Sequence, residues 1–260
     1  MKVYFAGGSQ KDKVMNNYMT SVGVKYRLLS FYYILKDGWL GEEYFSTNFN
    51  HIIIDSGLFT MMFGSKKDEP MTAEQLTEYK DKYFNWIATI KAKNFTFVEL
   101  DVQKVFSAEL AWQYRKEMKQ RLPDKEIMNV YHLEDGNPDK LIEFSSYISV
   151  GMPELKVCAP KEIKRITTYI VNKAKQLNKK VHILGMSGKI LMTKYKYATT
   201  CDSTNWTWYA RSTGYKKQLL NEYGIYNQEL KSRALSSNEE LRLGIVTSLN
   251  KYKKYAGNQD

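Results

Sequence analysis

His51-Ile52-Ile53-Ile54-Asp55-Ser56-Gly57 opens as an apolar, β-branched run and closes on a carboxylate followed by turn residues. The same shape recurs at Phe95-Thr96-Phe97-Val98-Glu99-Leu100-Asp101 and at Tyr197-Ala198-Thr199-Thr200-Cys201-Asp202-Ser203. Near-continuous apolar runs suit strands that are buried on both faces, as in a parallel sheet covered by helices. In such folds the carboxyl ends of the strands all face one way, so acids far apart in sequence converge on one pocket. A single Asp after a strand is ordinarily a turn former or helix N-cap. Three at matching positions point to chemistry.

Outward from these runs, strand candidates span Val3 to Ala6, Arg27 to Ile34, His51 to Asp55, Phe95 to Asp101, Ile127 to His132, Tyr147 to Gly151, Val181 to Met186 and Tyr197 to Asp202. Helical spacing fills Thr72 to Lys93, Ser107 to Arg121, Pro138 to Ser145, Pro160 to Leu177 and Ser236 to Tyr255, several with an N-cap-like Thr or Ser or an early Pro. Strands alternating with helices need right-handed crossovers, and eight such units in 260 residues match an α/β protein of the (β/α)8 TIM barrel type. Arg27 to Ile34 reads equally well as an aromatic-rich helix, which would leave an open doubly wound sheet as the alternative. No linker, Pro-rich stretch or charge break divides the chain, so residues 1–260 are expected to form a single domain.

Apolar residues make up 43% of the chain, enough for a sizeable core. No apolar run reaches the length of a membrane span, and the opening Met1-Lys2-Val3-Tyr4-Phe5-Ala6-Gly7 is too short for a signal peptide. No membrane association is expected, and the expected location is the cytoplasm. Cys158 and Cys201 form neither a disulfide framework nor a zinc pattern, and His51, His132 and His182 stand singly. Neither a metal nor another cofactor is expected, and each cysteine reads as a small buried hydrophobe.

A formal charge of +11 points to a polyanionic partner, nucleic acid above all. From Lys161 to Lys196 the basic residues are Lys161, Lys164, Arg165, Lys173, Lys175, Lys179, Lys180, Lys189, Lys194 and Lys196, with Glu162 the lone acid. Lysine-rich helices are also common as plain solvated faces. Nothing in the sequence sets the oligomeric state.

The strand tips read Asp55-Ser56-Gly57, Asp101, Tyr131-His132, Val150-Gly151-Met152, Leu184-Gly185-Met186 and Asp202-Ser203-Thr204. Glycine after a strand lets a ligand approach backbone amides, carboxylates suit the donor edge of a guanine-like base, and Phe59, Leu184 and Met186 could sandwich a flat ring. The competing explanation for these apolar residues is barrel core or loop packing.

With those motifs in that order, the chain resembles the tRNA-guanine transglycosylase superfamily, and within it the small phage-type enzymes that place 7-deazaguanines in DNA. Asp55-Ser56-Gly57-Leu58-Phe59 is similar to the family's Asp-Ser-Gly-Gly-Phe segment, and Leu100-Asp101 to its base-recognising strand end. Val150-Gly151-Met152 is similar to its Gly-Gly-Leu loop, His182-Ile183-Leu184-Gly185-Met186 to its Leu-Met-Gly-Val strand, and Cys201-Asp202-Ser203 occupies the nucleophile position. Leu58 and Thr60 replace a Gly and a Gln, and neither the Pro-Thr-Arg after the nucleophile nor the Cys-x-Cys-x-x-Cys zinc-binding subdomain has a counterpart. These departures favour the DNA branch over action on tRNA.

The resemblance implies exchange of guanine in nucleic acid for a free 7-deazaguanine base by a pentosyltransferase. Asp202 would be the nucleophile, Asp55 the general acid and base, and Asp101 the base clamp. Ser56, Gly57, Gly151 and Met152 would meet the base's polar edge, the last two through the backbone, Phe59 and Leu184 its faces, with Met186, Tyr131 and His132 further base-binding candidates. The competing classes are a tRNA-acting transglycosylase, a nucleoside or glycoside hydrolase using the same acids with water, and a non-catalytic nucleic-acid-binding protein. A metal-dependent hydrolase fits least, for want of histidine-rich spacing.

Overall fold

The eight strands form, and they close into a barrel. In the computed structural model, which describes residues 1–63, 71–104, 106–152, 155, 158–186, 189–208 and 237–257, the strands are β1 (Lys2–Ala6), β2 (Tyr26–Ser30), β3 (His51–Asp55), β4 (Phe95–Val98), β5 (Glu126–Tyr131), β6 (Tyr147–Gly151), β7 (Lys180–Leu184) and β8 (Thr200–Ser203). Each pairs in parallel with its sequence neighbours, and β8 returns to β1 through Lys2 opposite Thr200 and Phe5 opposite Ser203. The chain is a (β/α)8 barrel, with every strand end that bears a candidate residue on one face.

Around the barrel run α1 (Lys13–Ser21), α2 (Phe31–Asp37), α3 (Glu42–Asn48), α4 (Leu58–Phe63), α5 (Ala73–Thr89), α6 (Ala108–Arg121), α7 (Asp139–Phe144), α8 (Ile163–Gln176), α9 (Lys189–Lys194), α10 (Asn205–Trp208) and α11 (Ser237–Ala256). The caps expected at Thr72 and Ser107 are present, whereas Ser236 lies outside the described residues. Thr72 and Gln75 form a reciprocal capping box at α5, and the Ser107 hydroxyl accepts from the Leu110 amide at α6. Among the described residues no helix is long and apolar enough to cross a membrane.

Strand residues alternate between two cores. Tyr4, Tyr26, Ile53, Val98, Met128, Val130 and Tyr147 fill the barrel, whereas Ile52, Ile54, Phe95, Phe97, Ile148, Val150, Val181 and Ile183 face outward and pack against the helices. This period of two explains why the runs are apolar throughout: both faces are buried, each large side chain contributing about 1.5–3 kcal/mol.

Three expected elements shift. The run at Arg27 to Ile34 splits, its first half forming β2 and its aromatic half α2, because Phe31 and Ile34 lie three apart and bury one helical face, Phe31 against Tyr79, Tyr83 and Trp86. β4 stops at Val98, so Asp101 stands on the following loop, and β8 begins only at Thr200, Tyr197 lying in the exposed turn before it. Of the cysteines, Cys201 is buried but Cys158 is exposed, with Lys104 Nζ 3.2 Å from its sulfur.

Candidate active site

A cavity of about 800 Å³ opens over the carboxyl ends of the strands. Asp55, Asp101, Asp202, His132, Gly151 and Leu184 line it, and they come from the ends of β3 to β8. Asp55 and Asp202 face inward because each stands two residues after an inward-facing position, Ile53 and Thr200 respectively.

Asp55 is strongly perturbed by its surroundings. Burial, the charge of Asp101 and, more weakly, that of Asp202 push its carboxyl up to about 7, against the pull of amide donors at Gly57 and Ser56. The turn that supplies those amides demands glycine. Gly57 has φ +74°, and a Cβ there would lie 2.5 Å from both Ser30 Oγ and Tyr32 Cβ. Beneath the turn, the Tyr79 hydroxyl donates to the Ser56 carbonyl at 2.6 Å, and the Tyr83 hydroxyl to the carbonyl oxygens of Ile54 and Val98.

Asp101 faces His132, whose Nε2 lies 3.4 Å from Asp101 Oδ2. The Ser56 hydroxyl reaches Asp101 Oδ1 at 3.5 Å, the limit of a hydrogen bond. A buried ion network lies behind this pair. Glu99 accepts from Arg115 Nε at 2.8 Å, Arg115 Nη2 at 2.8 Å, Asn129 Nδ2 at 2.6 Å and the Val130 amide at 2.9 Å. Asp135 accepts from Arg115 Nη1 at 2.6 Å and from the His132 amide at 3.1 Å, so the network fixes the backbone that carries His132.

Asp202 is held through one oxygen. Its Oδ1 accepts from the Gly185 amide at 2.8 Å and lies 3.1 Å from His182 Nε2, while Oδ2 makes no hydrogen bond among the described residues. Asp202 lines the cavity, and this anchoring leaves its second oxygen unengaged.

Ser56, Gly57, Tyr131, Met152 and Met186 do not line the cavity. Ser56 is fully buried, its hydroxyl accepting from the Leu58 amide. Tyr131 packs in the outer core with its hydroxyl on the Gly136 carbonyl, and the Met152 side chain is buried where the Thr167 hydroxyl of α8 meets its sulfur. Met186 is fully buried in that same core and does not sandwich a ligand: Gly185, at φ +63°, turns the chain away from the cavity after Leu184. Gly57 acts through its amide on Asp55. The Phe59 side chain lies outside the described residues.

Sequence reasoning missed the β1 side of the cavity. Gly7, Gly8, Ser9 and Gln10, with Ser30, Tyr33, Asp37, Thr204 and Thr207, complete the wall. Gly8, at φ +77°, packs on Trp206, 2.5 Å from where a Cβ would sit, and the Trp206 indole donates to the Ala6 carbonyl. Two glycines directly after a strand were the available signal. Below this loop Arg27 is buried and donates to the carbonyl oxygens of Phe5 and Gly7; burial lowers its pKa to about 10. Among the described residues no group of three or more His, Cys, Asp or Glu is arranged to hold a metal ion.

No protein-family model matches the chain, and no curated protein matches it. Among solved structures it is similar to the YdjI aldolase from Escherichia coli K12, with a TM-score of 0.54 and 10% sequence identity over 98% of this chain and 91% of that one. At that identity the likeness shows the shared barrel fold alone. The likeness to the transglycosylases rests on the short motifs.

Proposed function

We propose that the protein is a transglycosylase that exchanges guanine in nucleic acid, DNA first of all, for a 7-deazaguanine base through a covalent aspartyl-glycosyl intermediate. The observation that carries the reading is the contrast between two acids on one cavity. Asp202 is pinned by Oδ1 with Oδ2 clear, and Asp55 holds its proton up to about pH 7.

In this reading Asp202 Oδ2 attacks C1′ of the guanine nucleotide as the bond to guanine breaks, and the protonated Asp55 gives its proton to the departing base. Asp55, now ionised, takes the ring N–H proton of the incoming 7-deazaguanine, whose nitrogen attacks C1′ and releases the Asp202 carboxylate. A carboxyl with a pKa near the working pH suits a group that must both give and take a proton. Asp101 with His132 would hold the base edge, Gly151 would offer backbone groups, and Leu184 an apolar face.

A basic surface supports a polymeric substrate. A groove of about 510 Å³ along α8 is lined by Lys164, Arg165, Thr168, Tyr169, Asn172, Lys173, Gln176 and Lys194, with no acid among them, and shares no lining residue with the cavity. The target nucleotide would be flipped out or single-stranded, since C1′ is shielded in a stacked duplex.

The test is incubation with guanine-containing DNA or tRNA and candidate 7-deazaguanines, read by denaturing gels and by mass spectrometry of nucleosides. The expected result is a covalent adduct that Asp202→Ala abolishes, together with modified deoxyguanosine in an intact strand. Modified guanosine confined to tRNA moves the substrate to RNA, and abasic sites make the protein a hydrolase. Absence of adduct and exchange on both polymers, or full turnover by Asp202→Ala, overturns the reading.

A further inference from the structure

We infer that His182 is a positioning residue for Asp202, locked in one tautomer by a hydrogen-bond relay that runs through Thr200 to Tyr147. The inference rests on the reading of Asp202 as the nucleophile. His182 is fully buried inside the barrel, level with Thr200 on the neighbouring strand. Its Nε2 lies 3.1 Å from Asp202 Oδ1, its Nδ1 lies 2.7 Å from Thr200 Oγ1, and Thr200 Oγ1 in turn contacts the Tyr147 hydroxyl. The edge of the Tyr4 ring closes the space beside the imidazole, 6.1 Å between centroids.

One arrangement of protons satisfies every member. Asp202 Oδ1 already accepts from the Gly185 amide, so as a carboxylate oxygen it also accepts from His182, whose Nε2 carries the proton. Nδ1 then carries the lone pair and accepts a hydrogen bond from the Thr200 hydroxyl. The Thr200 oxygen, donating there, accepts from Tyr147, a phenol that burial keeps protonated. All three donors point one way along the relay, towards Asp202.

The relay gives the carboxylate a fixed orientation. Its two donors come from β7 and the turn after it, while Asp202 sits on β8, so the carboxylate cannot pivot without breaking a buried hydrogen bond. Oδ2 therefore stays directed at the space where C1′ would arrive, before substrate binds. His182 touches neither base nor sugar; it acts through Asp202.

Two measurements on the full chain test this. Long-range proton–nitrogen spectra of the histidine side chains at pH 7, assigned by the peak that disappears in His182→Gln, are expected to show His182 with its proton on Nε2, and Thr200→Val to mix the tautomers. An Nδ1 proton or a doubly protonated ring in the unmodified protein overturns the relay, whether or not base exchange occurs. For the adduct reaction with DNA, His182→Leu is expected to slow adduct formation at saturating DNA about 100-fold, the scale of losing one preorganised donor, with half-saturation unchanged. His182→Gln, which keeps a donor amide, is expected to recover to within about tenfold. Wild-type speed in His182→Leu, or equal loss in both variants, overturns the positioning role. If His182→Leu does not fold, Thr200→Val, expected to slow the same step about tenfold, replaces it. Failure of the unmodified protein to form adduct removes the transglycosylase reading and leaves the tautomer result to judge the relay.

Discussion

The negative charge of Asp101 bears on Asp55: burial, and after it that charge, hold the proton on Asp55 up to about pH 7. The first proposed step needs that proton. Its rate is expected to be flat below pH 7 and to fall about tenfold per pH unit above it, read from adduct formation across pH 5.5 to 9.

The same shift sets a stability trend of definite sign. The folded state binds the Asp55 proton more tightly than the unfolded chain, whose carboxyl has the usual value of 3.8, so this group costs stability increasingly as pH rises from about 4 to 7 and at a constant level above. The cost is at most about 4 kcal/mol. Asp55→Asn is expected to raise Tm by several degrees at pH 8 and to leave it nearly unchanged at pH 4, by calorimetry. The same Tm difference between variant and unmodified protein at both pH values would refute the shifted carboxyl.

Asp101→Asn removes the neighbouring charge and keeps the shape. The alkaline limb of the rate profile is expected to move below pH 7, and base binding to weaken about 10- to 100-fold with the loss of a charge-assisted hydrogen bond. Titration with the free base and the pH profile read the two effects separately.

Arg115→Leu leaves Glu99 and Asp135 buried without their cation. It is expected to cost about 3–5 kcal/mol in urea denaturation at pH 7, and to loosen His132 through the amide bound to Asp135. A loss under 1 kcal/mol would show that the ion network is dispensable.

Charge reversal at Lys164, Arg165 and Lys173 is expected to weaken binding of a DNA oligonucleotide and to flatten its salt dependence by about one unit of slope for each phosphate no longer neutralised. Fluorescence anisotropy at several salt concentrations measures it. Unchanged affinity and slope would leave the groove a solvated face.

Much of the barrel was legible because its signals are local. Runs such as Ile52-Ile53-Ile54 mark strands buried on both faces, and Thr72 with Gln75 or Ser107 before Leu110 mark helix starts. Local signals also misled where two elements abut: Tyr26 to Asp37 is largely aliphatic and aromatic, and only packing of Phe31 against α5 separates strand from helix. Glu99 was hidden inside an apolar run, although a charge there implies a buried partner; Arg115, on the helix face shared with Ala111 and Met118, was that partner.

By itself, the sequence determined the alternation of strands and helices, hence a parallel α/β fold of barrel size, and the residues standing near each strand's carboxyl end, since periodicity and polarity are properties of neighbouring residues. Only the tertiary structure decided which of those residues face the cavity and what each one meets. Leu184 and Met186 stand two apart and look equivalent on paper, yet the turn at Gly185 sends the second into the outer core. His182, a lone histidine in sequence, meets Asp202 because β7 and β8 pair in a register that brings residues 20 apart within hydrogen-bond reach. Orientation, partner and proton affinity come from groups distant in the chain, and closure of the sheet is what brings them together.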